Sequence, residues 1–371
     1  MKKSLLALAA LGAFAGAASA QSSVTLFGVV DLNVTYQKNN ESTWSLGQDG
    51  MANSRLGFRG VEDLGGGMKA SFWLEGALGP DTGTGGSSWG NGNASTNPLL
   101  FRRRSTVSLS NQWGELRLGR DYTPTFWNWT VFDPFGTAGV GSATNLGLSN
   151  QIRSITTAGD AFGTLVRANN TVQYFLPNGG FGPGLYGQVM VAAGENAALN
   201  KYWGGRIGYA AGPFDVAAAY GQTGVDAADT LKMDNWNIAG SWTFGTWGKL
   251  AAFYGDIRVE LSTTSPKATQ KNYFVAYSIP FGQWNAKASW GHVAQGGIAG
   301  FTGNDANQYA IGADYNLSKR TALYATASWI SNSTAAPGTT GTNFSVVPGA
   351  GGDLSFGKNS SGVQVGVRHS F

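Results

Sequence analysis

The last nine residues, Val363-Gln364-Val365-Gly366-Val367-Arg368-His369-Ser370-Phe371, alternate apolar and polar side chains up to an aromatic ring that carries the terminal carboxylate. A side-chain period of two makes one face of a strand greasy and the other wet. A strand lying in lipid can use its terminal ring as an anchor at the membrane interface, which a soluble strand has no use for. The same alternation recurs upstream, with candidate strands near 23–36, 52–60, 68–77, 99–110, 114–121, 165–176, 184–193, 202–211, 213–222, 234–244, 246–258, 270–280, 282–294, 306–317, 319–331 and 361–371. The expected fold is therefore all-β: a transmembrane barrel of sixteen antiparallel strands. Short turns such as Ala211-Gly212, Gly245-Thr246 and Leu317-Ser318-Lys319 alternate with longer loops, the pattern of outer-membrane barrels. Sixteen strands leave a water-filled lumen where eight would be plugged by their own side chains.

Composition agrees. No run after the amino terminus reaches the ~18 apolar residues of a spanning helix, and the mean hydropathy is −0.13. The chain has 56 Gly, 20 Phe, 13 Tyr and 13 Trp but only 11 Pro, which suits many short strands joined by turns. It has no Cys, so stability must come from a closed hydrogen-bonded sheet rather than disulfides. At the start, Lys2 and Lys3, the apolar run Leu5 to Ala15 and Ala18-Ser19-Ala20 form the three zones of a secretory leader cut before Gln21. The expected organisation is residues 1–20 as leader and 21–371 as one barrel domain. Without Lys2 and Lys3 the chain holds 23 basic against 21 acidic residues, a balance that argues against a nucleic-acid partner.

Three segments carry a resemblance: Gln21-Ser-Ser-Val-Thr-Leu-Phe-Gly-Val-Val-Asp31, Ser54-Arg-Leu-Gly-Phe-Arg-Gly60 with Glu62-Asp-Leu-Gly-Gly-Gly67, and Leu118-Gly-Arg-Asp-Tyr-Thr-Pro124. With Asp133-Pro-Phe-Gly136, Asn169-Asn-Thr-Val-Gln-Tyr174 and the final Phe371, the chain resembles the trimeric general porins of Gram-negative bacteria, of β-proteobacterial type, from end to end. The resemblance implies a homotrimer in the outer membrane, in contact with its lipid and lipopolysaccharide, with a third long loop folded into each barrel. It also implies that Arg55, Arg120 and Arg167 line the resulting eyelet, with Arg102 or Arg104 as a further candidate.

Strand parity gives lumen-facing charges independently. Leu56 and Phe58 mark a lipid face, so Arg55 and Arg59 point inward; Val107 and Leu109 do the same for Arg102 and Arg104. Asp31, Lys69 and Glu75 are turned inward by their neighbours, and Arg167 lies on the wet side of its strand. The same rule puts Arg103 outward, where it would need a polar partner at the interface or on another subunit. The longest connection, 121 to about 164, is a candidate constriction loop. Asp121 and Asp133 are the acidic partners expected on it, set across the gap from the arginines.

No metal-ligand cluster is visible, and His292 and His369 share the parity of outward residues. Neither an enzyme nor a cofactor is expected. The expected function is passive diffusion of small hydrophilic solutes, mildly favouring anions; the alternative is a substrate-specific channel for organic anions.

Overall fold

The computed structural model describes residues 23–85, 101–148, 161–177, 182–194, 201–334, 342–347 and 355–371; the expected leader lies outside the described residues. Its strands are β1 Ser23–Lys38, β2 Ser42–Gln48, β3 Arg55–Gly65, β4 Met68–Gly79, β5 Thr84–Gly85, β6 Arg104–Asn111, β7 Gly114–Tyr122, β8 Arg167–Phe175 and β9 Leu185–Ala192. They continue as β10 Tyr202–Ala211, β11 Phe214–Gly224, β12 Lys232–Thr243, β13 Lys249–Val259, β14 Ala268–Phe281, β15 Trp284–Gly296, β16 Asp305–Asn316, β17 Thr321–Asn332 and β18 Ser360–Ser370. β2 and β3 are two parts of one stave, because β1 pairs with β2 from Leu32 to Lys38 and with β3 from Ser23 to Val29. β5 is a two-residue ribbon on the end of β4. Sixteen antiparallel staves remain, and β1 closes the ring on β18, with Val34 opposite Val365. Closure leaves no edge, so every stave shares its backbone bonds with two neighbours, as hydrocarbon surroundings demand.

Two strand starts differ from the sequence reading in ways that shape the lumen. The expected strand at 52–60 starts at Arg55, because residues 49–54 leave the wall. Asp31 causes this: its carboxylate accepts the amides of Gly50 (3.3 Å), Met51 (2.9 Å) and Ala52 (2.7 Å) and the hydroxyl of Tyr324. Three consecutive amides gathered on one carboxylate cannot also serve a ladder. The expected strand at 99–110 starts at Arg104, and the chain ahead of it kinks, with Phe101 against outward Phe58 (6.4 Å between rings) and Arg103 turned in.

The outer face is uneven. From β10 to β16 it carries ring contacts in two belts: Trp203–Tyr220, Trp236–Tyr254–Tyr273–His292 toward the long loops, and Phe214–Trp242–Phe244 with Trp284–Tyr315 toward the short turns. Across β18, β1 and β2 the exposed side chains are instead mainly aliphatic, among them Val363, Val365, Val367, Leu26, Val34 and Leu46.

The long connection after β7 runs inside the barrel. Pro124 fits the first turn of helix α1 (Pro124–Phe132), where a missing amide is harmless. Trp129 of α1 packs on Phe253 (4.1 Å) and Phe274 (6.0 Å), and Phe126 and Phe132 are buried beside it. Each such burial stabilises the loop by roughly 2–3 kcal/mol. Beyond α1 the loop crosses to the opposite wall, where the Val140 amide donates to Gln364 Oε1 (2.9 Å) and Asn145 Nδ2 to the Val346 carbonyl (3.2 Å). The short helix α2 (Thr144–Gly147) follows, with Leu146 buried beside Val293.

Candidate pore constriction

One wall of the lumen concentrates arginine. β3 starts with Arg55, β6 with Arg104 just after Arg102 and Arg103, β7 holds Arg117, and β8 starts with Arg167. Arg103 is buried and binds Glu75 of β4 through Nε (2.6 Å), while a further nitrogen reaches the Tyr122 hydroxyl (3.2 Å). Arg167 donates from Nε to the Arg103 carbonyl (2.8 Å) and lies over the Tyr122 ring at 4.4 Å. Arg104 lies 4.5 Å from the Trp73 ring, and Arg59 covers the same ring from 5.3 Å, so one inward tryptophan separates two guanidinium groups. Asp121 receives Arg117 at 2.6 Å and Arg104 at 3.5 Å. Planar guanidinium groups suit this crowding, since they stack on rings and remain charged when partly buried.

Facing this wall is a narrow gap of about 110 Å³. Its wall side is Arg103, Arg167 and Tyr122 together with Asp49 and Asn53 of the inward excursion. Its loop side is Phe126, Thr137, Thr144 and Leu148. Among the described residues, then, the loop presents no charge to the gap. Asp133, expected as the opposing acid, is 5% exposed and spends its carboxylate inside the loop. It accepts the amides of Phe135 (2.9 Å), Thr137 (3.3 Å) and Ala143 (3.0 Å). Burial pushes this carboxyl above its ordinary range, and the three amides pull the other way without cancelling the effect. The second expected loop acid, Asp121, is the penultimate residue of β7 and belongs to the arginine wall.

The fold of this wall, the inward loop and the closed sixteen-stave ring match known proteins. A family model for Gram-negative porins matches residues 7–335. The chain belongs to the Gram-negative porins. Outer membrane porin protein 32 of Delftia acidovorans is 39% identical over 387 residues, covering 100% of both chains. A porin of Bordetella pertussis is 31% identical over 440 residues, again covering all of both. Among solved structures, the anion-selective porin from Comamonas acidovorans superimposes with a TM-score of 0.79 at 34% identity, over 95% of this chain and 100% of that one. This porin is accordingly a channel of the Gram-negative outer membrane.

Other expected site residues fall in distinct places. Asp31 points inward but is fully buried as the anchor of the excursion. Arg59 and Lys69 lie low in the barrel, Lys69 exposed opposite Asp63 near the first short turn. Arg120 pairs across the ladder with Ser105, next to the Val107–Leu118 pair that faces out. Register therefore sets Arg120 on the outer face, where it donates from Nε to the Arg102 carbonyl (2.6 Å) and also reaches Asn169. The outward placement of Arg103 is corrected in turn. Parity fails there because the kink before β6 breaks the alternation that the rule needs, and desolvation makes an inward partner, Glu75, preferable to bare lipid.

Parity of β7 would have found Arg117, flanked by outward Leu116 and Leu118. Arg206 of β10 could be found likewise from exposed Ile207; it donates from Nε to Asn128 of α1 (2.6 Å) and so ties the loop to the far wall. Asp49 had no signal of its own, because its place in the gap depends on the excursion.

Proposed function

We propose that this porin is a passive, water-filled pore for small hydrophilic solutes that conducts anions in preference to cations. The observation that carries the reading is the one-sidedness of the gap: Arg103 and Arg167, with Arg55 close by, face loop residues Thr137, Thr144 and Leu148, which carry no charge. An anion entering this gap is attracted from the wall and meets no carboxylate on the described part of the loop. Asp49 and Glu75 offset part of the charge, Glu75 through its bond to Arg103, so the preference is moderate. The name of the Comamonas relative, an anion-selective porin, supports the same direction. The test is a reversal potential recorded in a salt gradient with the mature chain in planar bilayers. Anion preference is expected at low salt and should fade at molar salt, where the Debye length is ~3 Å. A cation preference at low salt would overturn the proposal.

Selectivity for organic anions is the second reading, favoured by the apolar Phe126, Leu148 and Val166 that border the gap beside the arginines. It requires currents that saturate with, or are blocked by, one carboxylate class. The aliphatic outer face across β18, β1 and β2 supports association into a homotrimer through that side, checked by crosslinking and by migration on gels before heating. Cleavage of the leader before Gln21 completes the reading, and amino-terminal sequencing of the exported chain tests it.

A further inference from the structure

Between its Leu32–Gln48 and Val29–Arg55 pairs β1 has only Val30 and Asp31, whereas the neighbouring stave spends residues 49–54 on the same stretch. The surplus leaves the wall as the inward excursion, and Asp49 opens it. The Asp49 amide donates to the Asp31 carbonyl (3.2 Å) and its Oδ1 accepts the Ser54 amide (2.6 Å), so this residue holds both ends of the excursion. Its backbone has a φ of 63°, a region that Asn and Asp enter more readily than other side chains. Neither role needs a charge. Asn offers the same conformation and the same acceptor oxygen, and Gly offers the conformation.

The charge nevertheless borders the gap, where Asp49 shares the wall side with Arg103 and Arg167. Asp49 forms no ion pair among the described residues; Arg103, already bound to Glu75, acts on it only through space. Arg167 spends its Nε on the Arg103 carbonyl and has no carboxylate within ion-pairing distance among the described residues. One side of the gap thus carries a carboxylate and a guanidinium that are not ion-paired, while the loop opposite offers Thr137, Thr144 and hydrocarbon. At about 110 Å³ the gap has the room of a few water molecules, each ~30 Å³ in the liquid, enough for the ammonium, α-carbon and carboxylate of one small solute.

We propose that Asp49 is a specificity-determining residue of the pore and that, with Arg167, it makes the gap favour α-amino acid zwitterions: the ammonium lies against Asp49, the carboxylate against Arg167, and the solute dipole along the wall rather than across to the loop. The inference rests on the reading of this gap as the constriction of an anion-preferring pore and names a further solute class for it. A simple anion meets both charges and gains only their difference, whereas a zwitterion gains from each. The contrast is sharpened in a narrow, partly dehydrated gap, because charges interact more strongly at a lower effective dielectric and the water a solute sheds has to be replaced. Both contacts are charge-assisted hydrogen bonds, the stronger kind.

The test compares Asp49→Asn with the parent in two measurements on the same preparations of the mature protein. Liposome swelling gives the entry rates of glycine and glycolamide, two isomers without net charge of which only glycine is a zwitterion; reversal potentials at low salt give the anion-to-cation ratio. The parent should admit glycine at least about twofold faster than glycolamide. Asp49→Asn should bring that advantage close to one and raise the anion-to-cation ratio about two- to fivefold, since a negative charge has left the gap. Arg167→Gln should also abolish the glycine advantage while lowering the anion preference, and a merely structural role would not give one shared loss with two opposite shifts. Should Asp49→Asn not fold, Asp49→Gly, which accepts the same φ, replaces it. Equal entry of the two isomers in the parent overturns the proposal, as does a glycine advantage kept by Asp49→Asn. A fall of both entry rates in proportion would assign Asp49 to the shape of the excursion alone and would overturn it too. A parent that prefers cations would count against the anion reading, while the comparison of the two isomers would still decide the role of Asp49.

Discussion

The arginine wall and the loop that faces it are built from similar residues used in opposite ways. On the wall, carboxylates pair with guanidinium groups and leave a surplus: Glu75 answers Arg103, and Asp121 answers Arg117 and Arg104, while among the described residues no carboxylate is bound to Arg55 or Arg167. On the loop, the one described carboxylate is turned onto backbone amides, and the face left for the gap is threonine and hydrocarbon. Charge that is spent on holding a loop's shape is not available to a passing solute. Among the described residues the field in the gap is therefore one-sided, and this part of the loop contributes narrowness rather than sign.

The strongest way to break this comparison is to invert the wall. In the double variant Arg55→Glu with Arg167→Glu, two cations become anions while the Arg103–Glu75 pair is retained. A unit charge ~5 Å from an ion at an effective dielectric near 20 is worth about 3 kcal/mol before screening. The anion-to-cation permeability ratio should fall at least tenfold and the reversal potential should change sign at low salt. A ratio within a factor of two of the parent would mean that the wall does not set the preference.

A smaller effect should come from charging the loop. Thr137 lines the gap and has a φ of 58°, a conformation that Asp tolerates better than most residues. Thr137→Asp creates the opposed pair of charges that the native gap lacks. The anion preference should drop by roughly two- to fivefold, one charge against the four-unit change above, and zwitterions should permeate better relative to anions. No change in either quantity would place Thr137 away from the conducting path.

Smaller again, in selectivity, is the removal of the loop's internal carboxylate. Asp133→Ala takes away an acceptor of three amides, and hydrogen bonds to a charged group contribute about 1.5–3 kcal/mol each. The loop should loosen while the barrel stays closed, since Trp129 and Phe132 still anchor α1. Current noise should rise and the permeability ratio should stay within about a factor of two, because the lost charge never faced the solute. A large drop in anion preference would show instead that Asp133 orders the arginine face.

These contrasts also separate what the sequence displays from what it hides. Parity needs only an unbroken strand, so the lumen-side positions of Arg55, Glu75 and Arg117 follow from outward neighbours such as Leu56 and Leu118. It fails at Arg103 because three consecutive arginines cannot alternate, and the kink that resolves them is set by Glu75, 28 residues earlier in the chain. Arg120 follows parity and departs from the resemblance, so local geometry was there the better guide. Asp133 lies in an Asp-Pro-Phe-Gly turn whose acid commonly bonds the amide two residues on; that pattern was legible and pointed to capping rather than to the pore. The break at 49–54 was not legible, since it depends on Asp31 and Tyr324, which the chain brings together from 293 residues apart.

The smallest expected effect tests how local the constriction's control is. Lys201 and Lys267 stand among the long-loop ends of the staves, each already paired, Lys201 with Asp229 (3.6 Å) and Lys267 with Glu260 (2.8 Å). Both are exposed, and exposed charges further apart than the Debye length of ~8–10 Å at ordinary ionic strength are largely screened from one another. Lys201→Glu and Lys267→Glu should therefore leave the permeability ratio within about a factor of 1.5, although each changes the net charge as much as Arg55→Glu does. The informative measurement is the ratio across a salt series. If the lysine variants approach the effect of Arg55→Glu at low salt and diverge from it only when salt is raised, long-range potential at the mouth shares control with the gap; equal effects at every salt would dissolve the distinction between wall and rim altogether.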